Sequence, residues 1–412
     1  MPNQRNYKLA AVCKVLLGVS ILALVIGPFQ ASGERKPKPP APKVYPPLII
    51  DQANPQIVCR GFSTYDGRLI QIKRVGEQII DGKTVGKYED TWASNPFDVC
   101  WFDIGDADND GDKEIIAAVS VYSGQRTKKD KLYDWKIVGF EDGSTGEPSW
   151  ETEYFYRNTG RGGPIGIGDV NGDGLNETFI YLDYHIEIMP LDSSHQITNL
   201  GTSPDYENTL SIASLNAGDA NNLGANEILY SIWGDYSGTP KILKYEGGAW
   251  TEEINIEPVS VNAIDVVRAR DADNIPGNEI ISGGNNNKLM IWKYVDENGY
   301  QFYKNVFNSD VLPSFTQGVD AGDVDGYPGN EIVVGVTGYG LYFFRYDQSV
   351  GYGPSEIFPM GGPINKISLE DFDDDSKCEI IAYMAGLKIF DLEDGVLIKS
   401  FEFPDAGTFA IK

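Results

Sequence analysis

One short pattern of aspartate, asparagine and glycine recurs six times along the chain, and its spacing constrains the fold more than any other feature. The copies read IGDADNDGDKEIIAAV from Ile104, IGDVNGDGLNETFIYL from Ile167, AGDANNLGANEILYSI from Ala217, ARDADNIPGNEIISGG from Ala269, AGDVDGYPGNEIVVGV from Ala321 and LEDFDDDSKCEIIAYM from Leu369. Their first aspartates are Asp106, Asp169, Asp219, Asp271, Asp323 and Asp371, separated by 63, 50, 52, 52 and 48 residues. Each opens a nine-residue loop, numbered I to VI in chain order. A period near 50 accommodates four antiparallel strands of about 5–6 residues with their turns. In each copy an apolar strand enters the loop and a Glu-Ile-Ile/Val-type strand leaves it. Third and fourth strands follow, as in LKIFDL from Leu387 and LIKSFEF from Leu397.

Four strands per repeat is the build of a β-propeller blade, so the expected fold is all-β. The two ends of the chain set the blade count. AGTFAIK at the C-terminus is similar to the strand that enters each loop, and NPQIVCRG from Asn54 is similar to the strand that leaves one. Joined with GRLIQIKRV and KTVGKYEDTW, they make a seventh blade of four antiparallel strands, closed by pairing of N- and C-terminal strands. The alternative is six blades with an N-terminal appendage, because PPLII, before Asp51, could itself serve as the missing strand.

The loops carry the chemistry. In loop I, Asp106, Asp108 and Asp110 alternate at positions one, three and five, Gly111 permits the turn, Asp112 offers a carbonyl at position seven, and Glu114 stands at nine. Asp169, Asn171, Asp173 and Glu177 repeat this in loop II, and Asp371, Asp373, Asp375 and Glu379 in loop VI. Several hard oxygens turned toward one centre form the ligand set of Ca²⁺. Loops III to V keep Asp219, Asn221 and Glu227; Asp271, Asp273 and Glu279; and Asp323, Asp325 and Glu331. At position five they carry Leu223, Ile275 and Tyr327, one donor fewer, so a metal there needs water or backbone carbonyls. A metal-free Asx turn is the other reading of all six. An EF-hand is disfavoured because its bidentate Glu stands at position twelve between helices.

These loops resemble the FG-GAP/VCBS repeats of integrin α-chain-like propellers, over most of residues 48–412. The resemblance implies that each loop joins the first and second strands of a blade and that several structural Ca²⁺ ions sit on one face of the ring. Loops III to V depart from the pattern, as does the lack of recognisable Phe-Gly and Gly-Ala-Pro elements.

Charge and the N-terminus bear on where the protein works. The first 33 residues carry Arg5, Lys8 and Lys14 with no acid, and the next fourteen add a further net +3. The formal −26 of the chain therefore becomes about −32 over residues 48–412. Such a surface repels nucleic acid and attracts cations. Residues 1–33, with the uncharged run Val15 to Phe29 before Ala31-Ser32-Gly33, read as a signal peptide or an uncleaved membrane anchor. Residues 34–47, rich in Lys and Pro, read as an extended spacer. Both imply an extracellular or cell-surface location. Of four cysteines, Cys13 lies in the signal-like segment; Cys59, Cys100 and Cys378 show no CxxC spacing, with a Cys59–Cys100 bridge or three buried small hydrophobes as the options.

No nucleophile elbow, zinc motif or phosphate loop occurs, and His185 and His195 are the only histidines. A binding, adhesion or scaffold module is thus expected, monomeric, with an extracellular protein or glycan as partner. The alternative is a secreted carbohydrate-active enzyme, because some calcium-containing propellers similar to this family are polysaccharide lyases. If the metal loops occupy one face, the turns between second and third strands occupy the other. Tyr122, Tyr133, Tyr184, Trp233, Tyr236 and Tyr339 in or near those turns are the ligand-face candidates.

Overall fold

The computed structural model describes residues 43–411 except residues 53, 62–66, 97–98, 127–130, 159–161, 199–200, 205–211, 233–236, 260–263 and 405. The chain divides into two units, Met1–Val44 and Tyr45–Lys412. The signal-like segment and most of the spacer lie outside the described residues, and the fold below is that of the second unit.

All regular elements among the described residues are β-strands, arranged in seven antiparallel sheets. Six sheets each correspond to one repeat and run in chain order from the strand that enters the loop. In the sheet of loop V these strands are Thr316–Gly322, Glu331–Val336, Gly340–Asp347 and Gly351–Pro359. The sheet of loop I has an extra short strand, Tyr156–Asn158, beside Lys131–Phe140. Strands that leave the loops, such as Glu177–Leu182 and Glu331–Val336, are buried at every residue. Covered on both faces, they read as continuous apolar runs rather than as alternation.

The seventh sheet draws on both ends of the chain. Its order is Ala406–Ile411, Ile57–Gly61, Leu69–Ile80 and Lys83–Ala93. Phe409 lies opposite Cys59 and Ile411 opposite Ile57. The C-terminal strand occupies the place that the loop-entering strand holds elsewhere. The segment PPLII belongs to no sheet, against its use as a strand in the six-bladed reading. Instead Leu48 N–H donates to the Ser144 carbonyl at 2.7 Å, Gly143 N–H to the Leu48 carbonyl at 2.8 Å, and Ile50 N–H to the Asp142 carboxylate at 2.8 Å. Two prolines remove the amide donors that a paired strand needs.

Among the described residues seven apolar clusters fill the spaces between sheets, and each draws on two of them. Ile281 and Ile291 of the loop IV sheet pack with Val319, Val334 and Phe344 of the loop V sheet. The terminal sheet is covered on both sides. Val58, Leu69 and Trp92 meet Ile104 and Ile115, while Ile57, Ile70 and Phe409 meet Ile381, Ile389 and Phe403. Close approach explains some glycines: a Cβ at Gly335 would stand 2.4 Å from the Ile364 side chain. Cys59 and Cys378 are free thiols, so Cys59 forms no bridge with Cys100. Cys59 is fully buried in the cluster of Ile70 and Phe409, where it acts as a small apolar side chain. The Cys100 side chain lies outside the described residues.

Candidate metal centres

Each of the six loops joins the first and second strands of its sheet, and two recurring bonds shape it. The Glu at position nine is 0–4% exposed in all six loops. It turns one oxygen back to the N–H of position two, contributed in turn by Ala107, Val170, Ala220, Ala272, Val324 and Phe372, at 2.9–3.2 Å. In loops I to V the Asp or Asn at position three accepts the N–H of position five at 2.8–3.2 Å. These are Asx turns, formed in complete and incomplete loops alike. The backbone is therefore preset, and the remaining side-chain oxygens are left to face the centre. Leu223, Ile275 and Tyr327 at position five are 68%, 40% and 68% exposed and fill nothing in that centre.

What occupies the centre differs from loop to loop. In loop I one oxygen from each of Asp106, Asp108, Asp110 and Glu114 lies within 4.8 Å of the others, and Asp106 Oδ1 is buried without a hydrogen-bond partner. His195 Nε2 stands 2.9 Å from Asp108, its ring stacked on Trp150 at 4.6 Å. In loop VI, Asp371, Asp373 and Asp375 converge likewise. Arg74 lies 2.9 Å from Asp373, whose Oδ1 has no hydrogen-bond partner. In loop II the Asn171 amide donates to Asp173 at 3.1 Å and to Glu177 at 2.7 Å. In loop III the Asn221 amide donates to Glu227.

Loops IV and V hold a basic side chain that the sequence reading missed. Lys293 Nζ lies 2.6 Å from Asp273 and 2.9 Å from Glu279. Arg345 Nε lies 2.8 Å from Glu331, and its Nη2 pairs with Asp325. An ammonium or guanidinium thus stands where a divalent cation would bridge the same acids. Both bases lie on third strands, far enough along the sequence that loop spacing gave no sign of them.

The titration of the position-nine Glu follows this occupancy. Burial, with neighbouring carboxylates adding to it, pushes Glu114 and Glu379 up to about 8. Glu177 and Glu227, each with an Asn donor, rise through burial to about 7. Glu279 and Glu331 are also raised by burial, with Lys293 and Arg345 pulling the other way. Ca²⁺ takes six to eight oxygens and tolerates irregular geometry. Loops I and VI fit it, with crowded carboxylates and orphaned oxygens. In loop II the Asn171 oxygen is held by the Asp173 N–H, and Asp169, Asp173 and Glu177 are the acids that would hold the ion. Loops IV and V do not fit while Lys293 and Arg345 are in place, and loop III offers two acids only.

A second set of contacts ties loops to one another. Asn109, Asn222 and Asn274 at position four adopt φ of 62°, 60° and 60°, a left-handed conformation that Asn tolerates better than most residues. Each accepts the N–H of the Asn at position eight of the next loop: Asn176 at 2.6 Å, Asn278 at 2.5 Å and Asn330 at 2.5 Å. Those Asn side chains donate back to the carbonyls of Asp106, Asp219 and Asp271 at 2.7–2.9 Å. Where position four is Gly172 or Gly326 this strap is missing. The pairing of Asn at four with Asn at eight one repeat later was legible in the sequence. Asn330→Ala is expected to lower unfolding free energy by about 2 kcal/mol, measured by denaturant unfolding, with the same loss in calcium and in chelator.

At the other end of the second strands are the turns, roughly 17–20 Å away along the six-residue strands and farther along the 13-residue Glu114–Arg126. Tyr122 and Tyr133 face each other across strands with rings 5.9 Å apart, and Tyr122 is 41% exposed. Tyr184 is half-buried and Tyr339 is 51% exposed. Trp233 and Tyr236 lie outside the described residues.

No protein-family model and no curated protein matches the chain. Solved structures do resemble it. A candidate 6-phosphogluconolactonase from Bacteroides uniformis is 12% identical with a TM-score of 0.54, over 88% of this chain and 100% of that one. A protein from Lactobacillus plantarum is 11% identical with a TM-score of 0.54, over 87% and 98%. The periplasmic gluconolactonase of Pseudomonas aeruginosa is 11% identical with a TM-score of 0.50, over 87% and 98%. At such identities the likeness speaks for the β-propeller fold alone.

Proposed function

We propose that the protein is an exported, closed seven-bladed β-propeller that takes Ca²⁺ in its complete loops and presents the opposite, turn-bearing end to an extracellular protein or glycan. The observation that carries the calcium reading is the state of loops I and VI. Four carboxylates converge in loop I and three in loop VI, Asp106 Oδ1 and Asp373 Oδ1 are buried with no hydrogen-bond partner, and Glu114 and Glu379 are raised to about 8. A divalent cation resolves all three at once. A build akin to FG-GAP/VCBS repeats is favoured by the placement of every loop between first and second strands.

Ring closure is supported by the terminal sheet, which packs against the sheets of both loop I and loop VI. It is supported too by charges on first strands of non-neighbouring sheets that influence one another: Asp103 acts on Arg268 and Lys366, from three different sheets. Export rests on the composition of residues 1–33, and the binding role on the exposed Tyr122 and Tyr339 at the end away from the loops. A glycan and extracellular-protein array probed with the calcium-loaded protein tests the role. Tyr122→Ala with Tyr339→Ala is expected to weaken any ligand found at least about tenfold, since buried aromatic anchors are worth about 2 kcal/mol or more, with the melting temperature unchanged. Binding that survives both substitutions moves the ligand site elsewhere.

A further inference from the structure

We infer that one position outside the loops, the third-strand residue facing the position-nine Glu, decides what fills each loop: an acid there admits a divalent cation, and a lysine or arginine replaces it. This rests on the calcium reading above. The position follows from strand register. Glu331 pairs with Arg345 and Glu177 with Pro190. Elsewhere it is one step beyond Ile115 with Phe140, Ile228 with Leu243, Ile280 with Trp292 and Ile380 with Phe390. The facing residues of loops I to VI are thus Glu141, Pro190, Lys244, Lys293, Arg345 and Asp391.

Their distribution matches the loops themselves. The three loops that lack an oxygen at position five, with Leu223, Ile275 and Tyr327, are the three whose facing residue is basic. Loops with a full donor set face Glu, Pro or Asp. A resident cation makes the fifth donor superfluous, so the two changes belong together. Lys293 and Arg345 reach the loop acids directly. Lys244 turns instead to Glu253 at 2.8 Å and Glu246 at 2.9 Å.

Asp391 supplies an independent sign of a ligand. It is 8% exposed, its Oδ1 accepts the Gly86 N–H at 3.2 Å, and its buried Oδ2 has no partner of normal hydrogen-bond geometry, the neighbouring Ser400 hydroxyl being donated to the Ile389 carbonyl. It lines a cavity of about 300 Å³ with Asp373, Asp375 and Glu379, which Arg74 and Lys377 also line while pairing with Asp373 and Asp375 rather than with Asp391. Leaving such a charge buried and uncompensated is costly, and a cation shared with the loop acids compensates it. Asp391 is thereby a metal-site residue contributed by a third strand rather than by the loop. The cations already near loops I and VI differ from Lys293 and Arg345. His195 and Arg74 come from outside the loop's own second–third strand pair and contact position three alone among the loop acids, and Lys377, at position seven of loop VI, lies 3.2 Å from Asp375 and pairs with Glu393; none of them touches the position-nine Glu.

The test counts calcium bound per chain by equilibrium dialysis of the full protein after chelator stripping, with folding followed by circular dichroism. Asp391→Lys is expected to lose one ion from the wild-type count. The near-isosteric Asp391→Asn is expected to weaken one site at least tenfold, and it decides the matter should the lysine variant fail to fold. Ile275→Asp with Lys293→Asp is expected to gain one ion, whereas Ile275→Asp alone gains none. The inference is overturned by an ion gained with Lys293 still in place, by a folded double variant that gains none, or by Asp391→Asn binding as the wild type does. A wild-type protein that binds no calcium fails differently, since that sinks the calcium reading itself.

Discussion

Protein stripped of divalent cations is expected to melt on the order of 10 °C below the calcium-loaded form. Each site saturated at about 100 times its Kd contributes about 2.7 kcal/mol, and two such sites at about 2 °C per kcal/mol give that shift. Its pH dependence follows from the loop acids. Glu114 and Glu379 have folded-state pKa values raised to about 8, against about 4.3 for an unfolded Glu. The metal-free fold therefore binds protons that the unfolded chain has released. The contribution of these two groups to its stability is fully present below about pH 4.3 and is lost as pH rises through about 8. Calcium reverses the trend, because it binds the deprotonated ligands. The gap in melting temperature between loaded and stripped protein should accordingly widen from pH 5 to pH 8 in differential scanning calorimetry. Equal melting in calcium and in chelator at pH 8 would contradict the metal assignment.

The sequence exposed the repeat, and with it the strand order, because every copy must build the same hairpin around a loop of fixed length. The match between AGTFAIK and the loop-entering strands was legible for the same reason, and the C-terminal strand does pair with Ile57–Gly61. The alternative use of PPLII as a strand is not met, because a short apolar run, here Leu48-Ile49-Ile50, can cover a neighbour without entering a sheet. Lys293 and Arg345 escaped notice because strand register, not loop spacing, brings them to the acids. Asp391 was hidden in the same way, within LKIFDL, where a buried carboxylate looks like one polar residue of a strand. A loop-centred reading finds the donors that lie in sequence; it does not find counter-charges that arrive across a strand pair.

Deleting residues 404–412 is expected to abolish cooperative folding, and the reason lies in what the last strand does. Ala406–Ile411 completes the terminal sheet, and Phe409, 2% exposed, is shared with the sheet of loop VI through Ile381, Ile389 and Phe403. Ala410 packs on the other side with Ile104 and Ile115. Without the strand, Ile57–Gly61 becomes an unpaired edge, a template for aggregation, and two of the inter-sheet cores open to water. Lys366 Nζ also loses the Phe409 carbonyl that it contacts at 2.6 Å. Phe409→Ala alone should cost about 3–5 kcal/mol, measured by denaturant unfolding, whereas Thr408→Ala, half-buried beside it, should cost far less. Because the contribution is that of a strand added to a sheet edge, a peptide of sequence AGTFAIK supplied to the truncated chain should restore part of the lost transition. A truncated chain that melts within a few degrees of the full one would mean that the terminal sheet does not hold the two ends of the chain together.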